Sequence, residues 1–241
     1  MVLNIELIVK FAAIVGLVLG ITIHEFSHAL AARLLGDRTA ERMGRLSLNP
    51  LVHLDPMGTL MMLITVFSGF GIGWGKPTPV TPWNLRPGRR LGMALVAAGG
   101  PLSNFLLALL IAPFLLLVPN PRSTAGIFLS SIVFVNLGLA AFNLLPLPIL
   151  DGFHILMGAI ASVPGRLASN LSYQLERLEP HGPMLLLVLI LLGSLMRVSI
   201  LSILIDPIFR LLISVFRLIL TTALGPVSQQ VMFRLLLAGW L

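Results

Sequence analysis

Two histidines four residues apart, His24 and His28, enclose Glu25 in the run His24-Glu25-Phe26-Ser27-His28. On an α-helix, positions i and i+4 share a face, so both imidazoles can grip one metal ion. Glu25 stands beside them, where it can take a proton from a water that the metal activates. The surroundings are apolar: residues 11–23 (FAAIVGLVLGITI) carry no charge, and Ala29-Leu30-Ala31-Ala32 follows the motif. Ionisable groups inside a membrane-length segment are expensive and mark function by default. The competing reading is a chance match of a short pattern in a soluble core.

A catalytic zinc site takes three protein ligands and keeps a fourth position for water. The chain offers few further candidates, with nine acidic residues and five histidines in all. Asp151 stands out. It follows Asn143-Leu144-Leu145-Pro146-Leu147-Pro148, where two prolines end an apolar segment and free the backbone to turn. That puts a carboxylate on irregular backbone, on the side where the first helix ends. Asp-Gly is also a common turn pair, which is the alternative reading.

Composition sets the compartment. Of 241 residues, 57% are hydrophobic and only 10% charged, whereas a soluble domain has about 25% charged residues. We expect an all-α polytopic membrane protein: a three-helix catalytic core, peripheral helices, and a short re-entrant or β-hairpin element. As a domain it reads as one unit over 1–241, with the core at about 7–155 and peripheral helices at about 184–241. The N-terminus lacks a basic region and does not read as a cleaved signal peptide. There is no cysteine, which excludes disulfides and thiolate ligands. The net charge of +7 reads as arginine-rich loops facing anionic lipid, not as a nucleic-acid surface.

Charges and prolines cut the hydropathy into segments at 7–35, 57–74, 91–118, 125–145, 184–205 and 208–224. Arg33, Arg38, Arg42 and Arg45 put the end of the first helix in the cytoplasm, and Lys76, Arg86, Arg89 and Arg90 do the same for the loop 75–90. One simple span cannot separate two cytoplasmic loops. Residues 57–74, short and glycine-rich, are therefore expected to enter the bilayer and return. The active site then lies nearer the cytoplasmic face of a multi-pass protein of the cell membrane.

HEFSHAL followed by NLLPLPILDG resembles the site-2 protease family of intramembrane zinc metalloproteases. The stretch 44–58 (GRLSLNPLVHLDPMG) is similar to the segment after the first motif in its compact prokaryotic branch, and 73–77 (GWGKP) and 98–104 (AGGPLSN) are similar to its next two blocks. The resemblance covers roughly 23–205. It implies one zinc ion per chain, held by His24, His28 and Asp151, with Glu25 as general base. Asn104 matches the family asparagine that helps to hold the substrate or its oxyanion. A second glycine often follows the family's Asp-Gly pair, and Phe153 stands in its place here. No inserted PDZ or CBS domain is visible. The implied partners are a transmembrane protein substrate and the lipid bilayer.

The other polar residues have plainer readings. His53 and Asp55 pin a loop. His154 is a neighbour of the site rather than a ligand. His181 belongs to an interfacial loop. Arg197 snorkels or ends a short span near Leu195. Asn136 and Asn143 bond between helices. Leu46 and Leu48 alternate with polar neighbours, which suits a short strand over 44–48 where an extended substrate could pair. Two rival functions remain: a membrane metal-ion transporter, and a catalytically inactive adaptor of the same fold. A transporter has no need of Glu25 and usually shows repeat symmetry, absent here.

Overall fold

A computed structural model describes residues 5–69 and 71–237. Its first helix, α1 (Ile5–Leu34), carries small residues at four-residue spacing, and Ala12, Gly16, Gly20, His24, His28 and Ala32 form one buried stripe. Small side chains let helix backbones approach closely where lipid supplies no hydrophobic drive. Against this stripe lie α4 (Arg89–Ile111) and α5 (Thr124–Asn143), and α6 (Asp151–Ala161) packs on α4. These four helices form the centre of the bundle. Among the described residues four helical stretches are long and apolar enough to cross a membrane: Ile5–Leu34, Arg89–Leu117, Thr124–Asn143 and Arg166–Met196.

Among the described residues the polar loop after α1 holds a short α-helix, α2 (Thr39–Arg42), a 3₁₀ turn at Pro50–Val52, and no strand. The stretch 44–48 is not extended pairing backbone as its alternation suggested. Ser47 and Asn49 instead use their side chains on the local backbone, accepting from Asn49 N at 3.1 Å and Leu51 N at 3.1 Å. Such bonds compete with a ladder.

The segment 57–74 leaves and comes back. Asp55 caps α3 (Pro56–Ser68) by accepting from Gly58 N at 2.8 Å, and Pro56 supplies a preset first turn. From Gly71 the chain runs back along α3, with Gly71 against Thr65 and Gly73 against Met62. The excursion closes where it began: Leu54 and Gly75 form an isolated antiparallel bridge, and Lys76 N donates to His53 O at 2.7 Å. A helix followed by an extended return takes the place of a β-hairpin. Arg45, nearly buried, donates to Val52 O, Lys76 O and Pro77 O and clasps the two ends together. His53 is fully buried with Nε2 on Ser47 O at 2.6 Å.

The loops after α1 and before α4 share one face. Arg86 N donates to Leu35 O at 2.9 Å, and Asp37 gathers the rest. Its carboxylate is fully buried and accepts from Thr39 N and Oγ1, Thr81 N and Asn84 Nδ2. Burial alone would raise its pKa. The four donors outweigh burial and hold it below the usual carboxylate value. A depressed folded pKa contributes stability above the unfolded value, and that contribution is lost as pH falls through the folded value. Asp37→Ala is expected to cost about 3 kcal/mol by stranding buried donors. In a chain of this size that lowers Tm by roughly 6–12 °C. Thermal unfolding of the purified protein should also show the variant losing less stability than wild type below about pH 4. An unchanged Tm would remove Asp37 as the anchor of this face.

The C-terminal part departs from the hydropathy segments. The run 184–205 is not one helix: α8 (Gly182–Met196) stops at Arg197, which adopts a left-handed φ of 54°. Arg197 thus ends a short helix, the second of its two readings. Pro207, expected to separate the last segments, lies inside α9 (Ile200–Leu224). Between α6 and α8, the amphipathic α7 (Arg166–Glu176) is tied to the start of α4 by Glu176, which pairs with Arg89 at 3.2 Å and Arg90 at 2.9 Å. Phe216 and Leu220 of α9 pack on α4 and α5, while α10 (Val227–Leu237), with Val231 and Leu235 buried, packs on α9 and on the 3₁₀ turn Ala112–Leu117 that follows α4. Residues 238–241 of the expected peripheral stretch lie outside the described residues.

Candidate metal centre

The helical repeat brings the two imidazoles of α1 together, with ring centroids 4.5 Å apart and planes at 88°. Both histidines are about nine-tenths buried. Asp151 arrives from the far end of the chain. Residues 145–150 between α5 and α6 are irregular, as Pro146 and Pro148 require, and Ile149 takes a positive φ of 98°. A non-glycine residue there is strained, and such strain collects at functional sites. Gly152 lets the turn close, because a Cβ there would lie 2.2 Å from Leu144 O. Phe153, standing where the family often has glycine, leaves the turn intact: its N donates to Leu150 O at 3.1 Å and its ring is buried.

His24 Nε2 lies 3.1 Å from Asp151 Oδ2, and His28 Nε2 lies 3.4 Å from Asp151 Oδ1. One ligand atom from each of the three residues falls within 4.8 Å of the others. The hydrogen bonds behind the rings decide what these atoms are. His28 Nδ1 contacts Val96 O at 2.8 Å, and a carbonyl only accepts, so Nδ1 carries the hydrogen. His24 Nδ1 contacts Asn104 Oδ1 at 2.7 Å and is likewise the donor. In neutral rings both Nε2 atoms then turn lone pairs toward a carboxylate, the form that metal binding requires. Asp151 Oδ2 is buried and accepts no well-aligned hydrogen bond. Three buried acceptors facing one another repel unless a cation lies between them. Two imidazole nitrogens and a carboxylate oxygen suit zinc, so the residues fit the metal.

Glu25 stands outside this trio. It is half-buried on the next position of α1, and its Oε2 accepts from Thr78 Oγ1 at 2.7 Å. Thr78 lies on the extended return that follows α3, so the re-entrant element delivers a donor to Glu25. Sequence reading did not single out Thr78, and only its place after Gly73-Trp74-Gly75-Lys76-Pro77 was a signal. Gly100, also unremarked, makes the room: a Cβ there would sit 2.5 Å from His24 Cε1 and 2.6 Å from His28 Nε2.

Asn104 is fully buried behind His24. Besides its contact with His24, it donates from Nδ2 to Gly20 O at 3.0 Å and to Asn136 Oδ1 at 2.9 Å. Both amide hydrogens are thus engaged inside the protein. Asn136 bonds between helices as expected, but Asn143 does not: it turns back to Leu139 O of its own helix at 2.9 Å. His154 lies beside Phe153, outside the cluster, and His181 is exposed.

These features define a multi-pass membrane protein in which His24, His28 and Asp151 converge where α1 meets α6. The family model for Peptidase family M50 matches residues 119–178. The chain is 36% identical over 215 residues to "Putative zinc metalloprotease YwhC" of Bacillus subtilis (strain 168), covering 85% of this chain and 92% of the relative. It is 32% identical over 148 residues to "Putative zinc metalloprotease Rip2" of Mycolicibacterium smegmatis, covering 59% of this chain and 55% of the relative. The relative of the same name from Mycobacterium tuberculosis (strain ATCC 25618 / H37Rv) is 33% identical over 148 residues, with the same coverage. No solved structure matches. The chain belongs to Peptidase family M50, the site-2 protease family of zinc metalloproteases.

Proposed function

We propose that this chain is an intramembrane zinc endopeptidase of the site-2 type, cutting peptide bonds of membrane-embedded segments. The observation that carries this reading is the convergence of His24 Nε2, His28 Nε2 and Asp151, with a separate acid, Glu25, beside them. His24, His28 and Asp151 hold the ion. When bound, zinc supplies Lewis acidity, which makes a water acidic and polarises the scissile carbonyl. Glu25 takes the proton of the attacking water on its carboxylate and passes it to the leaving amide nitrogen. Thr78 holds Oε2 of that carboxylate in place. An acid kept outside the ligand set, with its own positioned donor, serves hydrolysis and has no use in ion passage. The catalytic unit is residues 7–155, and the helices from 184 onward flank it.

The substrate is a transmembrane segment, which must unwind locally because a helix occupies its own carbonyls. The site lies nearer the cytoplasmic side of the cell membrane, since His24 precedes Arg33 by nine residues, about 14 Å along a helix. Single cysteines at Arg42 and Arg89, both exposed, test the orientation. In intact cells a membrane-impermeant thiol reagent should label neither, and permeabilisation should expose both. Labelling of the Arg89→Cys protein from outside would overturn this topology. The function itself is tested by reconstituting the protein in liposomes with single-span peptides and identifying the cut ends by mass spectrometry. Chelation should stop cleavage and zinc restore it. Cleavage indifferent to chelation would refute the reading.

A further inference from the structure

Two asparagines that the proposed mechanism does not use lie fully buried in the middle of the helix bundle, Asn104 on α4 and Asn136 on α5. Their contacts form a chain with a fixed direction. Ile132 O can only accept, so Asn136 must turn its amide nitrogen to it, at 2.8 Å. That leaves Asn136 Oδ1 to accept from Asn104 Nδ2 at 2.9 Å, while the second Nδ2 hydrogen goes to Gly20 O at 3.0 Å. Asn104 is thereby locked with Oδ1 toward His24, 2.7 Å from Nδ1. His24 Nδ1 must carry the hydrogen, and in the neutral ring that binds a metal Nε2 is then the lone pair that faces Asp151. Reversing the Asn104 amide would present hydrogens to Nδ1 and move the ring proton to Nε2, where no metal can bind. Gly20 makes the chain possible, because a Cβ there would lie 2.9 Å from Asn136 Oδ1 and 3.4 Å from Asn104 Nδ2.

We propose that Asn136 and Asn104 form a positioning relay that fixes the tautomer of His24 and so the affinity of the metal centre. This rests on the reading of His24, His28 and Asp151 as a zinc site. It gives Asn104 a role behind the metal, in place of the substrate contact implied by family resemblance. Both hydrogens that an oxyanion would need are already donated inside the protein.

Zinc affinity of the purified full chain, measured by competition with a chelator, tests the relay. Asn104→Leu is expected to weaken zinc binding by about 10–100-fold, the range for groups that orient a histidine ligand. Asn104→Asp keeps an acceptor for Nδ1–H, so its affinity should stay well above that of the Leu variant, and it should cleave substrate when zinc-saturated. Asn136→Ala touches no ligand, yet should also weaken zinc binding, which keeps the test independent of how well Asn104→Leu folds. Equal affinity in wild type and Asn136→Ala would overturn the relay. So would an Asn104→Asp protein that holds zinc as wild type does but cannot cleave, because the amide hydrogens would then serve the substrate. Failure of wild type itself to bind zinc would instead refute the metal centre, and the relay with it.

Discussion

Replacing Glu25 by Gln is expected to leave zinc bound and to lower peptide cleavage by about 10²–10⁴-fold, the contribution of a positioned general base. Glu25 is not among the three converging ligands, so its loss takes nothing from the ion. Gln has nearly the same shape and can still accept from Thr78 Oγ1, which now bonds Oε2 at 2.7 Å. What it cannot do is take a proton from water. Metal analysis and initial cleavage rates, made on one preparation, separate the two properties. Loss of zinc together with activity would make Glu25 a ligand or a structural residue. Full activity would remove it from the reaction.

Gly100→Ala is expected to abolish zinc binding and cleavage together. The added methyl would lie 2.5 Å from His24 Cε1, 2.6 Å from His28 Cε1 and 2.6 Å from His28 Nε2. Those atoms are not the free ends of flexible chains. Both rings are pinned at Nδ1, by Asn104 and by Val96 O. To relieve the clash α4 must draw back from α1, which pulls both hydrogen bonds and opens the ligand trio. Gly138→Ala is the control. It sits in α5 with nothing within 4 Å of an added Cβ, so it should be neutral or stabilise by about 0.5–1 kcal/mol. Zinc per chain and cleavage rate should vanish for the first and persist for the second. A Gly100→Ala protein that binds zinc normally would show that the rings are not so closely held.

The parts legible in the sequence were those written in local pattern. His24 and His28 announce a shared face by their spacing alone. Asp151 is announced by two closely spaced prolines, Pro146 and Pro148, just before which the apolar helix ends. Repeated arginines on both sides of 57–74 placed both its ends on one side, and the bridge of Leu54 with Gly75 closes that excursion. What stayed hidden depends on packing between distant segments. Nothing near Thr78 in sequence says that it meets Glu25, 53 residues earlier. Asn104 carries a family pattern, but its orientation is set by Asn136 across two helices. Hydropathy also misplaced the last break. Pro207 fits inside α9, whereas Arg197 takes the left-handed turn that stops α8. Over 44–48 the alternation of Leu46 and Leu48 suggested a strand, but the backbone bends at Leu46 and forms no ladder there. The stripe Ala12, Gly16, Gly20, His24, His28, Ala32 emerged only with the packing of α1. It shows that the face of α1 that carries the two histidines is also its buried helix-packing face.

The most direct test of the central claim is the rate of peptide cleavage by the liposome-reconstituted protein, measured as zinc is titrated into the metal-free form. A single ion bound by His24, His28 and Asp151 predicts a rate that rises in proportion to occupancy, reaches its plateau at one zinc per chain, and stays at zero across the titration for Asp151→Ala. Cleavage by the metal-free protein, or a wild-type rate from Asp151→Ala, would contradict it.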